Sequence, residues 1–210
     1  EVRRTAKANN FNVKRVEKYL PAKGGIMRDL NQAVLNIRQD IEGNENHGYM
    51  IKDDNALLVP EGGNRLEKII RQFRLLRSDD IKYKLLGSSQ WEDSNIYNIP
   101  ELNGAWFASA PKVDREAFER RFEQNFDYKP FKITALAYDS VALVAMLSKE
   151  GLERKNFGKE AILSPNGFKG ISGVFRFKND GTNERGLSVF EIRGGSIVEI
   201  DGAPAMLAAK

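Results

Sequence analysis

From residue 55 onward the chain alternates short apolar runs with amphipathic helical stretches, and this alternation constrains the fold more than any other feature. NALLVP (55–60), IKYKLLG (81–87) and GAWFASAP (104–111) are runs of strand length, the first continuously apolar, and all three read as strands with apolar residues on both faces. Strands apolar on both faces belong to parallel sheets covered by helices. The helices are legible too. NRLEKIIRQFRLLR (64–77) places Leu66, Ile69, Ile70, Phe73 and Leu76 on one stripe, and VDREAFERRFEQNF (113–126) does the same with Ala117, Phe118, Phe122 and Phe126. Asp114 is a candidate cap for the latter. ITALAYDSVALVAMLSKEG (133–151) is apolar nearly all round, which predicts a helix buried on every side and stopped at Gly151.

Upstream, EVRRTAKAN (1–9) has helical composition with no cap before it, and FNVKRVEKY (11–19) reads as an extended, partly buried strand on Phe11, Val13, Val16 and Tyr19. MRDLNQAVLNIRQDI (27–41) is a helix with Leu30, Val34, Ile37 and Ile41 inward. At the far end, GFKGISGVFRFKNDGTNERGLSVFEIRGGSIVEI (167–200) reads as an antiparallel meander of three strands, with turns at Asp180-Gly181 and Arg193-Gly194-Gly195. Three short strands with little apolar face are marginal alone, so this segment is expected to complete the α/β body before it.

Composition narrows the function classes. The 210 residues contain no cysteine, which excludes disulfides, thiolate nucleophiles and cysteine-based zinc sites. Lys+Arg 33 against Asp+Glu 29 gives a net charge of +4, with basic and acidic residues interleaved. No apolar run reaches the roughly 18 residues of a membrane span. The one histidine, His47, has no partner for a metal pair or a Ser-His-Asp arrangement, and reads as solvated. No nucleophile elbow, P-loop or dinucleotide fingerprint is present. Asp53-Asp54 and Asp79-Asp80 read as loop and cap residues, and NDGTNE (179–184) as a hairpin turn that lacks a calcium loop's spacing. Arg65, Lys68, Arg71, Arg74 and Arg77 precess around their helix with no aromatic residue among them to stack bases, so they read as a solvated face rather than a nucleic-acid surface. The chain is expected to be neither an enzyme nor a nucleic-acid binder, and to need no cofactor.

Candidate binding residues follow from the sheet rule that ligands sit at the carboxyl ends of parallel strands. After the first run, Glu61, Gly62, Gly63 and Asn64 offer backbone N–H groups at a helix start, suited to an anion; the bland alternative is a turn into a helix capped by Asn64. After the second, Ser88, Ser89, Gln90 and Trp91 offer two hydroxyls, an amide and an aromatic plate, unless Trp91 merely covers a hydrophobic edge. Tyr138, on the apolar helix, is a further candidate, with core packing as its alternative.

The strings NALLVPEGG, YKLLGSSQW, LNGAWFASAP, LAYDSVALVAML and GFKGISGVFRFKNDGTNERGLSVFEI, in this order, resemble the type I periplasmic solute-binding proteins, the Leu/Ile/Val-binding receptors of ABC transporters. The resemblance covers nearly the whole chain but only the C-terminal portion of the family pattern. It implies an α/β, periplasmic-binding-protein-like type I fold with the N-terminal lobe incomplete. Residues 1–110 would be the C-terminal lobe, 111–170 a remnant of the N-terminal lobe, and 171–210 a crossover and strands returning to the C-terminal lobe. Hinges are expected near Ala110 and Gly170, with Gly173 flexing during closure. The chain is then expected to be part of a longer secreted protein, periplasmic or held at the cell envelope.

The function implied is capture of a small solute between two lobes for delivery to an ABC-transporter permease. Receptors of this group place an aromatic residue after the first strand and an acidic one after the second. Here those positions are Gly62 and Ser89, so a free α-amino acid fits the pattern poorly, and Glu61, Glu92 and Asp93 are the acids near enough to stand in. The same fold also occurs in lipoproteins that activate penicillin-binding proteins, which makes docking to a peptidoglycan synthase the second implied function.

Overall fold

The computed structural model describes residues 2–18, 26–42, 56–74, 83–149 and 158–208. Helix α1 (Val2–Ala8) and helix α2 (Ile26–Glu42) precede the first strand. Strand β1 (Ala56–Leu58), helix α3 (Gly63–Arg74), strand β2 (Lys84–Gly87) and strand β3 (Trp106–Ser109) follow. Three short 3-10 turns at Ser89–Trp91, Ser94–Ile96 and Pro100–Leu102 order the segment between β2 and β3. Helices α4 (Lys112–Phe126), α5 (Lys132–Lys149) and α6 (Lys159–Ile162) come next. The chain ends in β4 (Phe168–Gly170), β5 (Gly173–Phe177), β6 (Asn183–Arg185), β7 (Ser188–Arg193) and β8 (Ser196–Asp201).

The strands make two sheets. The larger has the order β1-β2-β3-β7-β8, with β1, β2 and β3 parallel and β7 and β8 antiparallel. The smaller is the antiparallel β4-β5-β6. The C-terminal segment is therefore split between two sheets instead of forming one meander. Its last two strands join the larger sheet through β3, with Phe107 opposite Phe190 and the two rings stacked at 5.5 Å.

One core lies against the larger sheet. Leu30 and Val34 of α2, Leu66, Ile69, Ile70 and Phe73 of α3, Leu85, Phe107, Phe190 and Ile192 of the strands, and Trp91, Ile96 and Leu102 of the 3-10 turns are all buried in it. The stripes read from the sequence for α2 and α3 are thus the buried ones; Leu76 and the side chain of Ile41 lie outside the described residues. The strands themselves differ from the expectation of two apolar faces. β3 and β7 alternate, burying Phe107 and Ser109, and Ser188, Phe190 and Ile192, while β1 carries no strand on its outer side among the described residues and leaves Leu58 42% exposed.

In the second group of elements, α4, α5 and β4-β5-β6, the buried apolar side chains are Phe118, Ala135, Leu147, Val174 and Phe175. Two polar contacts organise it. The buried Asp139 carboxylate of α5 accepts from the backbone N–H groups of Ile171 (2.7 Å) and Ser172 (3.1 Å). Arg176 donates to Glu184 from both Nε and Nη2, at 3.0 and 2.9 Å, and to the Pro165 carbonyl at 3.1 Å.

Four local expectations are corrected. Residues 11–18 are not a strand: they pair with no described strand, and Phe11 is 71% exposed. Asp114 does not cap α4; Pro111 holds the N-cap position without a side-chain bond, its ring presetting the backbone, and Asp114 sits in the first turn where its charge suits the helix dipole. Phe126 is 57% exposed, joining Phe122 and Tyr128 in an aromatic cluster at the end of α4. The largest difference concerns α5. Only Ala135, Asp139 and Leu147 of this helix are buried, while Ile133 and Val141 are 72% and 70% exposed. A helix apolar on all sides is buried only when elements surround it. Here α4 lies on one side and the small sheet on another, and no other described element covers the rest.

Candidate functional site

The two loops that follow β1 and β2 meet at the carboxyl end of the parallel strands. Register sets this up: Ala56, Leu57 and Leu58 lie beside Lys84, Leu85 and Leu86, and the Val59 N–H donates to the Leu86 carbonyl at 2.9 Å, so both strands finish at one level. Beyond them, the chain of the first loop passes so close to the second that a Cβ on Gly62 would fall 2.8 Å from the Gln90 carbonyl oxygen. Only glycine fits there. Gly63 opens α3 with φ 55°, a left-handed backbone that also favours glycine. Because α3 starts at Gly63, Asn64 lies within its first turn, exposed, and is not the cap that a simple turn required.

In the second loop the Ser88 Oγ accepts from the Gln90 N–H at 3.4 Å and caps the 3-10 turn, leaving Ser89 and Gln90 exposed. Trp91 does not form an open plate. Its side chain is fully buried, its indole N–H donates to the Glu61 carbonyl at 2.8 Å, and its ring occupies the space above Gly87, where a Cβ would fall 2.1 Å from the ring. Trp91 is thus the pin that fixes one loop to the other. The site residues Glu61, Gly62, Gly63, Asn64, Ser88, Ser89, Gln90 and Trp91 are brought together; Tyr138 is not among them. It is half-exposed on α5 with its ring 5.3 Å from that of Phe118.

The turn after Trp91 carries the most heavily connected polar residue of the region. The Glu92 carboxylate is paired with the Arg115 guanidinium and accepts from the Ser109 hydroxyl at 3.1 Å, while its backbone carbonyl accepts from Lys132 Nζ. The Glu92 and Arg115 side chains are only 12% and 16% exposed. Ser109 ends β3, Arg115 lies in the first turns of α4, and Lys132 opens α5. Glu92 therefore joins the larger sheet to both helices of the second group. Beside it, burial together with the negative charge of Glu92 pushes the Tyr97 phenol up to about 12. Glu92 was within reach of sequence reasoning as an acid near the second loop. Arg115 and Lys132 were not, because their contacts cross long stretches of chain and nothing in their local sequence sets them apart from solvated charges.

The basic residues of α3 do face outward, and its three arginines are met by acids. Arg71 pairs with Glu67 at 2.7 Å, Arg65 with Glu61 at 3.8 Å and Arg74 with Glu101 at 3.5 Å; Arg77 lies outside the described residues. His47, Asp53, Asp54, Asp79 and Asp80 also lie outside them. Among the described residues no group of three His, Asp or Glu side chains is placed to hold a metal, and no helix is long and apolar enough to cross a membrane.

Solved structures give the fold its name. The chain has the periplasmic-binding-protein-like type I architecture, shared with an extracellular ligand-binding receptor from Desulfohalobium retbaense (TM-score 0.59, 18% identity, 94% of this chain and 33% of that one). It is shared equally with a solute-binding protein of an ABC transporter from R. palustris, solved in complex with benzoate (TM-score 0.57, 15% identity, 98% and 54%). The C-domain of LpoA from Haemophilus influenzae, a regulator of PBP1A, is similar at TM-score 0.51 with 12% identity (80% and 49%). This chain spans between a third and about half of the length of these proteins. No family model matches it, and no curated protein matches its sequence.

Proposed function

We propose that this chain is part of an extracytoplasmic receptor that captures a small polar solute between two lobes and presents it to an ABC-transporter permease. The observation that carries this reading is the convergence of the Glu61–Asn64 and Ser88–Trp91 loops at the carboxyl end of β1 and β2, pinned by the Trp91–Glu61 hydrogen bond. Exposed Ser89, Gln90 and Asn64 supply polar groups there, and the start of α3 supplies backbone N–H groups for an anion. The neighbours of this fold are solute-binding receptors rather than enzymes, which favours non-covalent capture, with ligand contacts converting an open population into a closed one. One lobe would hold residues 1–110 with β7 and β8, and the other α4 and α5 with the β4-β5-β6 sheet. An anionic or neutral polar solute suits the two loops better than a free α-amino acid, since neither Gly62 nor Ser89 carries a negative charge for an ammonium group, and of the acids nearby Glu61 pairs with Arg65, Glu92 with Arg115, and Asp93 accepts from the Asn95 N–H.

Native mass spectrometry of the chain, challenged with amino acids, short peptides and small carboxylates, tests the reading. A ligand of defined mass retained by the wild type and lost in Gln90→Ala or Asn64→Ala supports it. A ligand-free mass throughout sinks it.

A second reading is favoured by the fact that the Glu92 carboxylate is already engaged across the two groups of elements. A cleft closed from within suits a protein that works by docking, as the likeness to the C-domain of a PBP1A regulator suggests. Here the partner would be a peptidoglycan synthase of the cell envelope. Retention of a penicillin-binding protein on the immobilised chain, with no small ligand found, would favour this reading over the first.

A further inference from the structure

Three groups converge on one residue where the larger sheet meets α4 and α5. Arg115 and Ser109 hold the two oxygens of the Glu92 carboxylate, and Lys132 takes its backbone carbonyl. Ser109 is only 2% exposed, and the ion pair is largely out of solvent. A guanidinium and a buried hydroxyl aimed at one carboxylate make up the donor set with which proteins hold a free carboxylate ligand. The buried carboxylate is supplied from the loop next to the candidate site rather than from α4, so a movement of that loop would take it away and leave Arg115 with only the half-exposed carboxylate of Glu119, 3.4 Å from its Nε. A largely buried guanidinium paired only on its outer side favours a second anion in the vacated place.

We propose that Arg115 and Ser109 form a binding site for a small monocarboxylate, and that Glu92 fills this site as an internal ligand. The site holds the two groups of elements together when Glu92 occupies it, and admits a carboxylate of acetate size when Glu92 is withdrawn. It is distinct from the site between the first two loops, and it stands whether or not the chain captures a solute there.

The geometry gives a direct test, because Glu92→Ala removes a CH2–COO⁻ fragment, which is the size and charge of acetate. Thermal unfolding of the wild type, E92A, E92Q and the double variant E92A/R115A is followed in sodium acetate and in sodium chloride at about 100 mM and equal ionic strength. In chloride E92A is expected to melt roughly 10 °C below the wild type, as for a broken buried pair. Acetate should return about 3 °C or more to E92A, a shift that corresponds to a dissociation constant on the order of 10 mM. It should return nothing beyond chloride to the wild type, whose site is full, to E92Q, whose amide still fills the space, or to E92A/R115A, which lacks the cation.

Equal melting of E92A in the two salts overturns the proposal, and so does an acetate gain of the same size in E92Q or E92A/R115A. Should E92A not fold in chloride, refolding in acetate replaces the melting curve: recovery of the native circular dichroism supports the site, and failure to recover overturns it. Solute capture is read separately, from the native mass spectrum of the wild type, so one result does not decide the other.

Discussion

The carboxylate of Asp139, in the middle of α5, accepts a hydrogen bond of 2.7 Å from the backbone N–H of Ile171, in the turn between β4 and β5. The other oxygen takes the Ser172 N–H at 3.1 Å, and the preceding Gly170 lies so close that a Cβ there would fall 2.5 Å from the carboxylate carbon. The helix thus acts as an acceptor for a turn whose own donors have turned inward, and Gly170 is the residue that lets it approach. Asp139→Ala, which leaves two buried N–H groups unpaired, is expected to cost about 3 kcal/mol. Gly170→Ala should also destabilise, by crowding the same carboxylate. In urea unfolding the double variant should cost clearly less than the sum of the two, because the added methyl group has nothing to strike once the carboxylate is gone. Additive costs would show that the two residues do not meet.

Gly173 is expected to be rigid rather than a flexing hinge. Its φ of 92° lies in the left-handed half of the map, and a Cβ would fall 2.4 Å from the Gly186 carbonyl oxygen. Gly173→Val should therefore lower the urea midpoint strongly, at a cost of about 2 kcal/mol or more. A midpoint unchanged from the wild type, with altered ligand affinity, would restore the hinge reading.

Trp91 carries a prediction about the candidate site itself. Trp91→Phe keeps most of the buried ring but leaves the Glu61 carbonyl without the indole donor, at a cost of about 1–2 kcal/mol. The first loop, pinned at that carbonyl, should loosen. Hydrogen exchange at the amides of residues 62 to 66 is expected to rise in the variant while that in β7 and β8 stays as it was. Equal rates in both proteins would show that the loop is held by something else.

The Tyr97 phenol, pushed up to about 12 by burial and by the neighbouring Glu92, should stay protonated well above the ordinary tyrosine value of about 10. Since its folded pKa is raised, its contribution to stability is fully present below pH 10 and is lost as the pH rises through about 12. Absorbance at the tyrosinate band should show one residue titrating late, and Tyr97→Phe should remove that late step. A late step that persists in the variant would assign it to another tyrosine.

Glu191 provides a second titration, of the opposite sign. The Trp106 indole N–H donates to it at 2.9 Å and Arg193 from the other side, at 2.9 Å from Nε, holding its carboxyl below the usual glutamate range. Its stabilising contribution is present above the ordinary glutamate pKa and is lost as the pH falls through the depressed value. Trp106 fluorescence should report this transition at a lower pH than an unperturbed glutamate, and Glu191→Gln should abolish it. A midpoint at the ordinary value would show that the Trp106 bond does not persist in solution.

The contrast between α3 and α5 shows which parts of this fold are written locally. In α3 the positions of Leu66, Ile69, Ile70 and Phe73 at helical spacing, with arginines between, define the buried face before any partner is known, and that face is the one against the sheet. The stripe carries its own direction. α5 has no such asymmetry, so its sequence shows that the helix must be covered but not by what, and in the structure much of it is open. The strand read at 11–19 failed for a related reason: alternation over a few residues marks a capacity to pair, and pairing depends on a free neighbour.

The site divides in the same way. The sequence by itself determined that two glycine-containing or polar loops follow short apolar strands, that glycines would stand where the backbone turns sharply, that no thiol chemistry is possible, and that the order of elements is that of the periplasmic-binding-protein-like type I fold. These are properties of neighbouring residues and of their order, and both are fixed by the covalent chain. Only the tertiary structure decided that Trp91 would point inward to the Glu61 carbonyl, that the last strands would divide between two sheets, and that Arg115, Ser109 and Lys132 would close on Glu92. Those contacts join residues far apart in the chain. Their energies arise from the burial and desolvation that packing creates, which no local pattern encodes.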